Sequence, residues 1–207
     1  MRRLLLPGAG LAALLWLCPA PARAQATSTA ADPHSQARFW KHFALGFGTS
    51  ILAHEAGHVV AAYAVGGHPS FGFDRGRPTI YSGIDSHIDP HDQFIFSSAG
   101  LTVQALLNEA ILDIPHARGS SFERGVLAGG IATTLFYITL GRNANVSDVS
   151  FMAATSSLTK GEVSLIYGGI AALQTLRIWH DPAYAHFFTA PNPRGGMDIG
   201  VRLQHDL

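Results

Sequence analysis

Four long apolar runs dominate the pattern along the chain, and they are almost free of charge. Between Phe43 and Phe73 the only Asp, Glu, Lys or Arg is Glu55; between Gln93 and Leu112 it is Glu109. Gly125 to Gly141 contains none, and Glu162 to Leu176 contains only Glu162. The stretch from Phe43 to Val65 has the length of a membrane-spanning helix, while two of the other runs fall short of the usual threshold of about 18 residues. Four such runs in one small chain predict a mainly α fold, a multi-pass membrane helical bundle of about four apolar helices. The segment 66–92 differs in kind: Gly, Pro, Asp and His punctuate short β-prone pieces at 71–73 and 79–81, which predicts a small β insertion. Near the end, Met197, Ile199, Val201 and Leu203 alternate with polar positions or glycine, predicting a C-terminal strand able to pair with that insertion. Trp179, Tyr184, Phe187 and Phe188 read as an anchor for the last helix at a membrane surface or as core.

The first residues stand apart. Arg2 and Arg3 precede an apolar run from Leu4 to Leu17, and Ala22-Arg23-Ala24 supplies a small-x-small pattern, so residues 1–24 read as a signal peptide or, if uncleaved, an anchor. Residues 25–39 read as a linker, 40–180 as a membrane domain and 181–207 as a tail carrying the strand. Cleavage after Ala24 removes Cys18, the single cysteine, leaving neither disulfides nor thiolate ligands. It also removes three cations, so the balance of 14 basic and 14 acidic residues becomes 11 against 14, a net charge of −3. No basic excess is present to suggest a nucleic-acid partner. Only 14% of residues are charged, against about 25% in soluble domains, which agrees with a lipid bilayer as partner. The expected location is a membrane, the bacterial inner membrane, reached through the secretory pathway. Lys and Arg are spread over nearly every loop, so they assign no orientation.

The first apolar run contains His54-Glu55-Ala56-Gly57-His58. Two histidines four residues apart on a helix project from one face and can bind one zinc ion. Glu55 lies beside them, placed to act as general base toward a zinc-activated water. Three ionisable groups inside an apolar helix are costly unless paired or functional. Gly57 allows close approach of another helix or of a substrate strand. A third ligand is required. A third histidine on the same segment is excluded, because Ala61 and Ala64 occupy the positions that pattern needs. Two carboxylates remain: Glu109, in an Asn108-Glu109-x-x-x-Asp113 helix similar to that of gluzincin peptidases, and Asp148, in the polar break from Gly141.

The motif at 54–58, the β-prone insertion, Ser98-Ala99-Gly100 in the next run, and Leu135-Phe136-Tyr137 leading to a polar loop with Asp148 together resemble the site-2 protease family of intramembrane zinc metalloproteases. The resemblance covers about residues 40–180. It implies His54, His58 and Asp148 as ligands of Zn2+, Glu55 as base, and hydrolysis of a membrane-associated polypeptide substrate. Leu101 stands where that family has proline, and Ser147-Asp148-Val149 replaces its Leu-Asp-Gly. The alternatives are a gluzincin-like peptidase using Glu109 and a non-catalytic metal-binding membrane protein.

Other polar residues have double readings. Asn108, Asn143 and Asn145 suit either polarisation of a scissile carbonyl or ordinary capping. The group His87, Asp89, His91 and Asp92 looks like a second metal cluster, but Pro90 prevents a helical i,i+4 presentation. His68, His116, His180, His186 and His205 lie near segment ends. Asn145-Val146-Ser147 matches a glycosylation sequon whose place beside Asp148 argues against a sugar.

Overall fold

Two helices begin where short local sequences dictate. Ser120 and Thr159 each precede a glutamate by three residues, and both form complete capping boxes. Each hydroxyl accepts from the backbone N–H of the glutamate, whose carboxylate accepts from the cap residue's N–H. Each box satisfies two helix-end donors.

The computed structural model describes residues 33–74, 76–144, 146–181, 183–184, 186–191 and 197–202, and within these gives backbone alone for Pro33, Arg77, Pro78 and 186–202. The signal peptide, residues 25–32 of the linker, Asn145 and His205 lie outside the described residues. The elements run α1 (Pro33–Ala64), β1 (Ser70–Asp74), β2 (Arg77–Tyr81), α2 (Pro90–Asp113), α3 (Ser121–Ile138), α4 (Asp148–Ala154), α5 (Lys160–His180), β3 (His186–Pro191) and β4 (Met197–Arg202). Helix α1 reaches back into the stretch read as linker. Helix α2 starts inside the stretch read as insertion, with Pro90 in its first turn, where a missing N–H costs nothing.

The mainly helical character and the small β insertion match the sequence reading, but the multi-pass membrane bundle does not stand. Among the described residues one helix, α2, is long and apolar enough to cross a membrane. Freedom from charge was a poor proxy for hydrophobicity. Helix α1 carries Thr49, Ser50 and four histidines among alanines and glycines. Helix α3 has 18 residues and begins at Ser121, so it takes in Glu123 and Arg124, while Thr139 to Gly141 fall beyond its end. Helix α5 includes Lys160, Glu162 and Arg177.

The two hairpins are separate. Strand β1 pairs antiparallel with β2, Gly72 opposite Thr79, and β3 pairs with β4, Phe188 opposite Gly200. The C-terminal strand therefore pairs with its own neighbour instead of the insertion, because a second strand, β3, lies close before it in sequence. Tyr184 is buried with Leu112 and Leu127.

Helix α1 packs chiefly on α2 and α3. Its contact with α3 uses a reciprocal pair of glycines: a Cβ at Gly46 would meet the Phe122 carbonyl, and one at Gly125 the Phe43 carbonyl. The main core joins Leu101 of α2, Val149 and Met152 of α4, and Val163 of α5. Seven residues are too few for a stable isolated helix, so this apolar face is what holds α4 in place. The Gly125→Ala variant should lose about 1–3 kcal/mol of unfolding free energy, since the added methyl meets backbone and not a movable side chain. A denaturant melt with unchanged stability would contradict this packing.

Candidate metal centre

Helices α1 and α2 meet antiparallel, and the four-residue spacing of one answers that of the other. His58, His54 and Ser50 on α1 oppose Phe96, Gly100 and Gln104 on α2. Such a spacing keeps each set on one helix face. Gly57 lies against α2: a Cβ there would come within 3.0 Å of the Ala99 carbonyl oxygen and of Val103. Gly100 opens the space in front of the imidazoles, because a Cβ at that position would sit 2.5 Å from His58 Nε2 and 2.6 Å from His54 Nε2.

Asp148 comes from the first turn of α4. Its neighbours Val149 and Met152 are held in the core, which turns the carboxylate toward α1. Ser147, not Asp148, occupies the helix-cap position, and its side chain makes no capping bond. His54 Nε2 lies 3.1 Å from His58 Nε2 and 3.2 Å from Asp148 Oδ2, and His58 Nε2 lies 3.4 Å from Asp148 Oδ1. Ligand atoms bound at zinc distances around a tetrahedron are about 3.3–3.6 Å apart. All three residues are buried. Among the described residues this is the group of His, Cys, Asp and Glu side chains able to hold a metal ion.

Proton placement sharpens the fit. The Phe96 carbonyl, 2.8 Å from His58 Nδ1, can only accept, so Nδ1 donates. Gln104 Nε2 donates to the Ser50 carbonyl at 3.0 Å and to Ser50 Oγ at 3.1 Å, which turns Gln104 Oε1 toward His54 Nδ1 at 3.0 Å. His54 therefore also donates from Nδ1. In the neutral imidazoles both Nε2 atoms carry lone pairs that face each other and a carboxylate, with no proton among them. Asp148 Oδ2 is buried without a hydrogen bond despite its closeness to His54. A cation resolves this arrangement, and the donor set of two imidazoles and one carboxylate suits zinc.

The electrostatics of the cluster point the same way. Burial works against a charge on Asp148, but the facing imidazoles of His58 and His54 outweigh it and hold the carboxyl well below the usual range. Burial likewise opposes charge on His58, and Asp148 outweighs it, raising the imidazole. Glu55 is half-buried, and burial pushes its carboxyl upward against the lowering pull of the two histidines. The Tyr137 ring stacks on His54 at 5.3 Å, fixing its plane.

Glu55 and the three donors line a cleft of about 520 Å³. Its walls include Ile51, Phe136 and Phe151 on the helical side and Thr79 to Ile84 from β2 and the chain after it. That chain is tied to α2 by Ser82, which donates to Gln93 Oε1 at 2.8 Å.

The structure thus brings together His54, Glu55, His58 and Asp148. Glu109 is elsewhere: nine residues beyond Gly100 on α2, about 13 Å along the axis, it accepts from Gln174 at 2.9 Å and pairs with Arg177. Asn108 donates to Gln174, and Asn143 accepts from Lys160. Both lie outside the cleft lining. His87, Asp89 and His91 are exposed around the start of α2 and form no donor group. His116 pairs with Glu123 at 2.6 Å. Gln104 and Gly100 were missed as site residues. A glutamine four positions after a glycine inside an apolar run was the available signal.

No protein-family model matches this chain, and neither curated proteins nor solved structures give a match.

The purified protein should take up one equivalent of zinc. Substituting His54, His58 or Asp148 with alanine should abolish stoichiometric uptake, whereas Glu109→Gln should leave it intact. Elemental analysis of the purified variants decides between them, and loss of zinc from Glu109→Gln alone would overturn the assignment.

Proposed function

We propose that the chain is a zinc-dependent endopeptidase acting on an extended polypeptide at a membrane. The observation that carries this reading is a half-buried carboxylate, Glu55, beside two imidazoles and an aspartate whose lone pairs converge on one point, all opening on one cleft. Bound zinc would supply Lewis acidity and bring water into a reactive range near neutral pH. His54, His58 and Asp148 hold the ion. Glu55 accepts the proton of the attacking water and passes it to the leaving nitrogen, and its upward shift by burial moves it toward the range useful for both transfers.

The cleft favours a polypeptide. Strand β2 pairs with β1 along one edge, and its other edge faces no strand among the described residues. Thr79 to Tyr81 of β2 line the cleft, so an extended chain can add to its backbone there. Among the described residues, no lining residue apart from Glu55 and Asp148 is a carboxylate, lysine or arginine, which suits an uncharged segment. These features agree with the resemblance to site-2 proteases.

A membrane setting is supported by the outer surface. Leu52 and Val60 of α1, Leu106 of α2, and Leu165 and Leu173 of α5 are each more than 60% exposed. Large apolar side chains at that density fit lipid better than water. The full chain with its N-terminal segment reads as reaching the bacterial inner membrane through the secretory pathway.

Glu55→Gln should keep one zinc and lose hydrolysis of an unstructured apolar polypeptide by roughly 10²–10⁴-fold. Full activity with full zinc content would leave the metal site without a catalytic role for Glu55. The protein should also float with phospholipid vesicles in a density gradient; recovery wholly in the lipid-free fraction would remove the membrane part of the proposal.

A further inference from the structure

The two histidines are oriented by unequal means. His58 donates to the Phe96 carbonyl, a backbone group that no side-chain change removes. His54 depends on a side chain from another helix, and that side chain depends in turn on Ser50, one turn earlier on α1. Ser50, His54 and Gln104 are essentially inaccessible to solvent, at 0%, 1% and 0% exposure. An amide is ambiguous until its neighbours define it, since either end can face a given ring. Here the Ser50 carbonyl can only accept, so the amide nitrogen of Gln104 must face it and the oxygen must face His54.

We infer that Gln104, set by Ser50, is a positioning residue that locks His54 as the Nδ1–H tautomer and so keeps its Nε2 lone pair available to the metal. The inference rests on the metal-centre reading given above, but its structural part does not need the ion. Without an acceptor at Nδ1 the proton moves freely to Nε2, where the Asp148 carboxylate, 3.2 Å away, accepts it and draws the imidazole out of its ligating form. Partners of this kind commonly change metal affinity 10–100-fold. Burial of all three residues strengthens the control, because it closes Nδ1 to bulk solvent.

Two substitutions at one position separate positioning from packing. Gln104→Met keeps the volume and removes the acceptor; Gln104→Glu keeps an acceptor facing Nδ1 and adds a buried charge. If Gln104 only fills space, Met is tolerated and Glu is the damaging change. If it positions His54, the order reverses. The probes are zinc titration of the full chain and the imidazole ¹⁵N–¹H correlation spectrum of the metal-free protein, which distinguishes the two neutral tautomers. The expected results are Nδ1–H at His54 in the parent protein and in Gln104→Glu, with zinc affinity in the latter within a few-fold of the parent. Gln104→Met should show Nε2–H signal at His54 and zinc affinity lower by about 10–100-fold. Gln104→Leu, which also lacks an acceptor, should shift both readouts in the same direction, and it serves if Gln104→Met fails to fold. Ser50→Ala leaves the Ser50 carbonyl that turns the amide and should keep Nδ1–H at His54. Retention of Nδ1–H and of full affinity in Gln104→Met, or in Gln104→Leu where the former does not fold, overturns the inference. Absence of zinc uptake by the parent protein overturns the metal-centre reading instead, and the tautomer spectra still decide the role of Gln104.

Discussion

Everything at the centre of this fold depends on one electrostatic constraint: two imidazole nitrogens 3.1 Å apart face a buried carboxylate whose oxygens lie 3.2 and 3.4 Å from them, and in the neutral imidazoles the outer hydrogen bonds leave no proton between them. Such a cluster is repulsive without a cation or borrowed protons. Its persistence requires that the surrounding helices be unable to relax away. Helix α1 is held to α2 by backbone approach at Gly57 and to α3 by the Gly46 and Gly125 pair, which leaves it little room to slide. Helix α4 is too short to stand alone and is fixed by Val149 and Met152 against Leu101 and Val163. The core therefore aims the Asp148 carboxylate as well as stabilising the chain.

Leu101 shows how the two tasks combine. It is fully buried against α4. Gly100 beside it is the residue whose missing side chain leaves space before both imidazoles. One step along α2 separates the position that makes room for a metal from the position that anchors the helix supplying its third donor. A proline at 101 would remove the backbone N–H of that residue from the interior of α2, whereas leucine keeps the hydrogen bond and adds apolar contact.

The histidine pair and Glu55 were legible from sequence because their signal is local. A spacing of four on a helix fixes a shared face whatever the remaining fold. Asp148 was harder: its approach to His54 spans 94 positions of sequence and depends on the packing of α4, which has no periodic signature of its own. Glu109 stood as the alternative to it, the lone acid of its apolar run, and the partners that occupy it, Gln174 and Arg177, sit on a helix more than sixty residues away. The β-prone pieces of the insertion were readable, but β3 was not, since its six residues carry no alternation. The bundle was misread because absence of charge was counted as hydrophobicity. Alanine, glycine, serine and threonine remove charge without adding much apolar area, and they serve close helix contact here.

The same small residues explain how a chain with so little charge carries buried polar groups without collapsing its core. Gln93, Ser97, Gln104 and Asn108 lie buried along α2, and each finds at least one partner on a neighbouring element or in the preceding turn. Leaving a buried polar atom unpaired costs about 1–3 kcal/mol, so these residues fix how the helices must meet. Asn108 Oδ1, the Tyr184 hydroxyl, Ser147 Oγ and Asp148 Oδ2 are buried oxygens without hydrogen bonds. The carboxylate oxygen carries charge and is the most costly of these to leave so, and it lies 3.2 Å from His54 Nε2. The polar groups of α2 thus specify one register of packing, and in that register a buried carboxylate oxygen faces the site where a cation would satisfy it.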